Sequence, residues 1–404
     1  MHKINFLLGS TDDLNTRSDD DGIDRLHRSV TVTMLVVFAF IVTTGQYVGQ
    51  PISCWVPAHF TGNHEDYANA YCWVKNTYYL PFDKNIPKIH QQHIRHMIPY
   101  YQWVPIILLL QAGLFFFPCL FWRSLNNRSG INIDILITST IPVPNKLDEF
   151  NYVKYICNQL DRYIRNLAID KNKKKTISLK HILNPFSYFI GMSKGNYLLS
   201  LYITTKVLYL LNAIMQIVIL DKFLGYSFIS YGVDVLWSMY VGSEWTGSKR
   251  FPRVTMCDFL IRRVGNIQRY TVQCALPINL FNEKIYLVIW FWFLFLVLLT
   301  SVNLISWLCS SFIRSDYKFI EKIFLRKMAF SQQEYINENS LKIFVQDYLK
   351  PDIIFLLRLF SKNTSYFTMV RVVKELYQMS LKKPKPVSSG SQSKSTNSET
   401  LDLI

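Results

Sequence analysis

The sequence predicts an all-α membrane protein with four spanning helices, and three observations carry that expectation. Half of the 404 residues are hydrophobic although 18% are charged, and the mean hydropathy is only +0.12, so the apolar residues must be bunched. They fall into four runs, each close to the ~20 residues that cross a ~30 Å hydrocarbon core at ~1.5 Å per residue. The third observation is cysteine placement: Cys54 and Cys72 lie between the first two runs, Cys257 and Cys274 between the last two.

Residues 1–29 are polar and carry Asp12, Asp13, Asp19, Asp20, Asp21 and Asp24, which is not the pattern of a cleavable leader, so the first span is expected to act as targeting signal. That span is 30–49, preceded by Arg25, His27 and Arg28. A connection, 50–101, leads to the second span, 102–122, whose entrance reads Tyr100-Tyr101-Gln102-Trp103-Val104-Pro105. Proline costs little in a first helical turn, where the N–H has no helical partner, and Tyr100, Tyr101 and Trp103 are expected at the lipid–water interface. Residues 123–196 connect to the third span, 197–220, and 221–284 to the fourth and most apolar, 285–309. Four crossings put both termini on one side.

Lysine and arginine favour the cytoplasmic flank of a span, and both 123–196 and the region after Arg314 are rich in them. The loop 221–284 carries Arg250, Arg253, Arg262, Arg263 and Arg269, so charge alone does not orient the chain. The cysteines break the tie, because two loops on one face that each hold a pair fit disulfides in an oxidising compartment. Both loops are expected outside, with the termini and 123–196 in the cytoplasm. Four cysteines allow three pairings, and the residues do not choose among them. A structural zinc site is the competing reading, but the close cysteine pairs it needs are missing. Cys119, Cys157 and Cys309 read as reduced thiols, the first and last near enough to a span end for acylation.

The cytoplasmic parts read as helical. Phe150, Val153, Ile156, Leu160, Ile164 and Leu167 recur at three and four, after a helix start near Pro144-Asn145. In 310–381, Phe319, Ile320, Ile323 and Phe324 share a face, as do Leu341, Phe344, Val345 and Tyr348, and Pro351-Asp352 opens a helix too short to cross. Residues 382–404 are rich in Lys, Pro, Ser and Gly and read as a disordered tail. Its Ser388, Ser389, Ser391, Ser393 and Ser395 are phosphorylation candidates, and Asp402-Leu403-Ile404 is a weak strand-addition end. The net charge of +16 lies in loops flanking spans and is not interleaved with aromatics, which favours membrane lipids over nucleic acid as partner.

Several stretches together resemble the innexins, the gap-junction proteins of invertebrates. Besides Tyr100 to Pro105, these are Gln46-Tyr47-Val48-Gly49 with Pro51-Ile52-Ser53-Cys54, then Gly195-Asn196-Tyr197 with Lys206 and Asn212. Met256-Cys257-Asp258-Phe259, the run Val272 to Lys284, and Phe344-Val345-Gln346-Asp347-Tyr348-Leu349 are similar too. Connexins place three cysteines in each such loop, and pannexins lack the hexapeptide. The resemblance implies a four-span subunit of a ring-shaped large-pore channel, with disulfide-braced extracellular loops containing some β structure and a helical cytoplasmic domain. It implies a homo- or hetero-oligomer with other innexins, described as an octamer, docked to the ring of a neighbouring cell and passing ions and small solutes. It also implies that disulfides join the first loop to the second, and that the first span and residues 1–29 line the path. The alternatives are an unpaired hemichannel and a non-conducting adhesion protein.

Within that frame, Asp12, Asp13, Asp19, Asp20 and Asp21 are candidates for a ring of negative potential at the cytoplasmic mouth. Thr43 and Thr44, with Thr205, Asn212 and Gln216, are polar positions in spans that line a pore or hydrogen-bond between helices. Lys206 is the clear intramembrane charge, and no acid is expected inside a span, which disfavours a proton relay. His90, His93 and His96 share a face if 88–97 is helical, the metal and pH-sensing readings competing with plain surface. Neither extracellular loop holds an N-x-[ST] sequon; those at Asn127 and Asn363 are on the cytoplasmic side. Gly191 to Gly195 matches G-x-S-x-G but precedes a span rather than following a strand, and the G-x-x-x-x-G run from Gly242 ends in the wrong order for a phosphate loop. No catalysis and no cofactor are expected.

Overall fold

The computed structural model describes residues 19–81, 83, 86, 96–138, 146–174, 195–225, 227–242, 250–312, 316–328, 338–364 and 366–382. Among the described residues, four helices are long and apolar enough to cross a membrane: α1 (Gly22–Tyr47), α3 (Val104–Ser129), α6 (Tyr197–Leu224) and α8 (Ile278–Ser311). Each is longer than its apolar run. The first begins well before residue 30, because Asp21 accepts the Ile23 N–H at 3.0 Å and Asp24 reaches back to the Asp21 N–H at 3.5 Å. This reciprocal capping box starts the helix among polar residues. A π-helical turn, Leu26–Thr31, then joins it to the apolar stretch.

The connections between α1 and α3 and between α6 and α8 meet at one end of the bundle. The first contributes β1 (Ser53–Trp55), α2 (Gly62–Lys75), β2 (Thr77–Tyr79) and β3 (His96–Ile98). The second contributes a helix, α7 (Tyr231–Val241), and the hairpin β4 (Val254–Arg263) and β5 (Asn266–Ala275). The sheet order is β1-β5-β4-β2-β3, antiparallel throughout, so strands of the first loop bracket the hairpin of the second on both sides. The hairpin turns at Gly265, whose φ of +78° suits a residue without a side chain. His96 and Met97 are in β3, so the helical expectation fails at those two positions; residues 88–95, with His90 and His93, lie outside the described residues. Next to the sheet, Gly232 of α7 lies against the Trp290 ring, where a Cβ would come within 2.1 Å.

The opposite end is helical: α4 (Ile133–Thr138), α5 (Lys146–Lys174), α9 (Asp316–Met328), α10 (Glu338–Ile343), α11 (Pro351–Asn363) and α12 (Tyr366–Leu381). The periodic apolar faces meet there. Val153, Ile156, Leu160 and Ile164 share one core with Ile320, Ile323 and Phe324, Leu341, Phe344 and Val345, and nearly every apolar residue from Ile353 to Phe360. Burying each such side chain is worth ~1.5–3 kcal/mol, which is why this region folds instead of serving as a linker.

Candidate functional site

Two constructions distinguish the sheet end and the helical end. At the sheet end, Cys54 is bonded to Cys274 and Cys72 to Cys257, so each disulfide joins the first loop to the second. Sheet register brings the first pair together, since Cys54 lies opposite Cys274 across β1 and β5. Cys72 reaches Cys257 of β4 from α2, whose Ala68 and Cys72 face the sheet core with Phe259, Val272 and Leu276. With all four sulfurs in covalent pairs, none is available as a thiolate for zinc. Of the other three, Cys119 and Cys157 are buried and Cys309 is exposed, which removes Cys119 from the acylation reading.

The hexapeptide Tyr100, Tyr101, Gln102, Trp103, Val104 and Pro105 ties this end together. Tyr100 Oη donates to the Arg250 carbonyl at 3.0 Å and lies 3.3 Å from Asn279 Oδ1 at the start of α8. Tyr101 Oη and the Gln102 amide both donate to the Trp73 carbonyl, capping the end of α2, and Gln46 Nε2 of α1 donates to the Tyr101 carbonyl at 2.8 Å. Tyr100 and Tyr101 are buried, and only Trp103, 56% exposed, fits the expected interfacial position. The correction has a physical reason: buried phenols need partners, and three neighbouring segments supply carbonyls. Pro105 lies in the first turn of α3, as expected.

At the helical end Asp19, Asp20, Asp21 and Asp24 are buried. Lys206 of α6 places Nζ 2.8 Å from both carboxylate oxygens of Asp24 and 3.3 Å from Asp21. Asp21 also accepts from Trp307 Nε1 at 3.1 Å and from Lys362 Nζ at 3.0 Å, while Tyr202 donates to Asp24. Asp20 pairs with Arg28 and Arg25, its carbonyl accepts from Asn363 at 3.0 Å, and Asp19 lies 3.8 Å from Arg123. Burial would raise the Asp21 pKa, but Lys206, the Ile23 N–H, Lys362 and Trp307 outweigh it and hold the carboxyl well below the usual range. Burial, reinforced by Asp20, pushes Asp19 up.

Asp19, Asp20 and Asp21 are only 3–5% exposed, so the expectation that they form a water-facing acidic rim is corrected: buried carboxylates at a helix start are stabilised by pairing, and cations are at hand. Asp12 and Asp13 lie outside the described residues. No acid lies within the apolar runs 30–49, 102–122, 197–220 and 285–309; Asp24, Asp221 and Glu283 lie in the parts of α1, α6 and α8 that extend beyond those runs. Asp24 is the partner that Lys206, a lone lysine in an apolar helix, needs. Thr205 and Gln216 are buried inside the subunit, Thr205 bonding the Leu201 carbonyl and Gln216 the Asn212 amide oxygen. Thr43 and Thr44 bond carbonyls of their own helix.

Comparison with known proteins agrees with this architecture. The innexin family model matches residues 20–380. Innexin-19 of Caenorhabditis elegans is 36% identical over 385 residues, covering 90% of this chain and 84% of its own length. Innexin unc-9 of the same organism is 37% identical over 92% of this chain and 95% of its own, and innexin eat-5 is 32% identical over 93% and 90%. A family match over nearly all described elements, on four spanning helices and a disulfide-braced sheet, makes this chain a member of the innexin family, the gap-junction channel proteins of invertebrates.

Proposed function

We propose that this chain forms a ring, octameric as described for the family, which docks through its sheet end to the ring of an adjacent cell. The observation that carries the reading is the five-stranded sheet, in which strands of one loop flank a hairpin of the other and two disulfides lock them together. A surface fixed before contact loses little conformational entropy on docking. In this reading the sheet end is extracellular, the helical end and both termini are cytoplasmic, and ions and small solutes pass between cytoplasms. The exposed face of α1, including Phe40 and Thr44, lines the conduit or a subunit contact. The acidic-mouth idea is confined to Asp12 and Asp13.

Junctional conductance between paired expressing cells tests the proposal. Current between cells, with dye transfer, is expected. Current across single membranes alone favours an unpaired hemichannel, and contact clustering without current an adhesion role. Impermeant thiol reagents that label Cys54, Cys72, Cys257 and Cys274 only from the cytosol, after reduction, would invert the topology.

A further inference from the structure

We infer that α7 is an interfacial helix, with its outward stripe embedded in the lipid leaflet at the sheet end of the bundle. Val233, Leu236, Trp237 and Tyr240 are each more than half exposed, as is Ile229 just ahead of the helix. These positions recur at three and four, so they form one stripe along the helix. Single exposed apolar side chains are ordinary, but a contiguous row of large ones marks a surface made to be covered.

Two neighbours fix the level at which the stripe sits. Gly225, with a φ of +68°, ends α6, and Asp221 Oδ1 then accepts the Phe228 and Ile229 N–H groups at 2.6 and 3.3 Å. The start of α7 is therefore held level with Asp221, the first residue beyond the apolar run of α6. On its other side Tyr231 donates to the Glu283 carbonyl at 3.1 Å, and Trp290 Nε1 donates to the Ile229 carbonyl at 3.2 Å. Trp290 lies five residues inside the apolar run of α8, a depth of about 8 Å at the helical rise per residue. These bonds pin α7 where hydrocarbon gives way to headgroups, the level at which interfacial helices lie.

The remaining faces of the helix leave lipid as the occupant. Tyr231, Gly232 and Val235 are the buried residues, on the flank against α8. Asp234 and Ser238 share another flank, and Arg250, just ahead of β4, pairs with Asp234 at 2.5 Å, so that flank turns toward the sheet. The stripe carries no charge, and Trp237 and Tyr240 are the ring types that gather at lipid–water boundaries. Val288 and Phe291, beside Trp290 on α8, are exposed too, so the stripe prolongs the apolar surface of a span. With no lysine or arginine in α7, insertion rests on apolar area, and anionic lipid is not required.

The test is nitroxide accessibility of the full-length protein in phosphatidylcholine nanodiscs. A Cys309→Ser background serves, because the four sheet-end cysteines are in disulfides and Cys119 and Cys157 are buried. Labels are attached to Trp237→Cys and Tyr240→Cys, with Leu298→Cys as the hydrocarbon reference and Val264→Cys, at the hairpin tip, as the water reference. Oxygen, which partitions into lipid, is expected to collide more often than a water-soluble nickel chelate at 237 and 240, as at 298, with the order reversed at 264. Nickel dominance at 237 and 240 would overturn the inference by placing the stripe in water. So would low access to both reagents: dipolar broadening would then assign the stripe to a second copy, and its absence to another part of this chain. If the labelled variants aggregate, the unsubstituted protein photolysed in a phosphatidylcholine with an acyl-chain diazirine decides. Adducts within 231–241 are expected, and adducts on 285–309 with none on 231–241 would overturn the inference.

Discussion

Asp352 caps a helix that is not its own. Its Oδ1 accepts the Leu199 N–H in the first turn of α6 at 3.1 Å, while its own N–H donates to the Gly195 carbonyl at 3.1 Å. Tyr163 of α5 donates to the other oxygen at 3.1 Å, so one carboxylate joins a spanning helix to two helices of the helical-end core. Asp352→Ala should cost at least ~1 kcal/mol, the value of a lost N-cap, and more where buried donors are stranded. Thermal unfolding of the solubilised protein reads this, and an unchanged midpoint would show that the cap contributes nothing.

The same residue predicts a pH dependence. Burial pushes Asp352 up from 3.8 to about 6, against the opposing pull of the Leu199 N–H and the Tyr163 hydroxyl. Its folded pKa is raised, so its contribution to stability is full below the unfolded value and is lost as pH rises through about 6. Wild type should therefore gain on Asp352→Asn when the buffer goes from about pH 7.5 to about pH 5. A difference in melting temperature that stays constant across that range would contradict the shift.

Lys206→Met should be among the most damaging single substitutions, because it leaves Asp24 and Asp21 buried without their shared cation. Breaking a buried pair costs ~3–5 kcal/mol, whereas replacing both partners by apolar groups is often tolerated. Lys206→Met with Asp24→Leu should thus recover part of the loss, although Asp21 keeps Lys362 and Trp307. Surface expression and detergent melting temperature of the single and double variants measure the coupling, and strictly additive effects would argue against the network.

The two disulfides make a pairwise prediction. Peptide mapping without reduction should recover Cys54 with Cys274 and Cys72 with Cys257. Losing either bridge should cost ~2–5 kcal/mol, and a double Cys→Ser variant of one pair should be no worse than a single. Single variants are expected to lose junctional current.

Tyr100→Phe and Trp103→Phe separate the buried and exposed parts of the hexapeptide. The first removes a hydroxyl bonded to the Arg250 carbonyl and should cost ~1–3 kcal/mol by leaving a buried acceptor unpaired. The second alters an exposed ring and should stay within ~0.5 kcal/mol. Equal effects would mean that Tyr100 packs without bonding.

Apolar run length determined the four spans, because a bilayer's thickness imposes a count that a linear sequence displays directly. Period-three-and-four spacing likewise made α5 legible, and Pro351-Asp352 marked the start of α11. Cysteine placement by itself put the paired residues on one face and left three pairings open; the resemblance supplied the loop-to-loop arrangement, and sheet register made it specific. Only the tertiary structure decided the fate of the charges. Asp21, Asp24, Lys206 and Lys362 are separated by up to 341 positions between bonded partners, and no local pattern encodes such a meeting. Whether an aspartate faces water or a buried lysine depends on which helices pack beside it. That is a property of the assembled core, and it turned an expected acidic rim into a clamp.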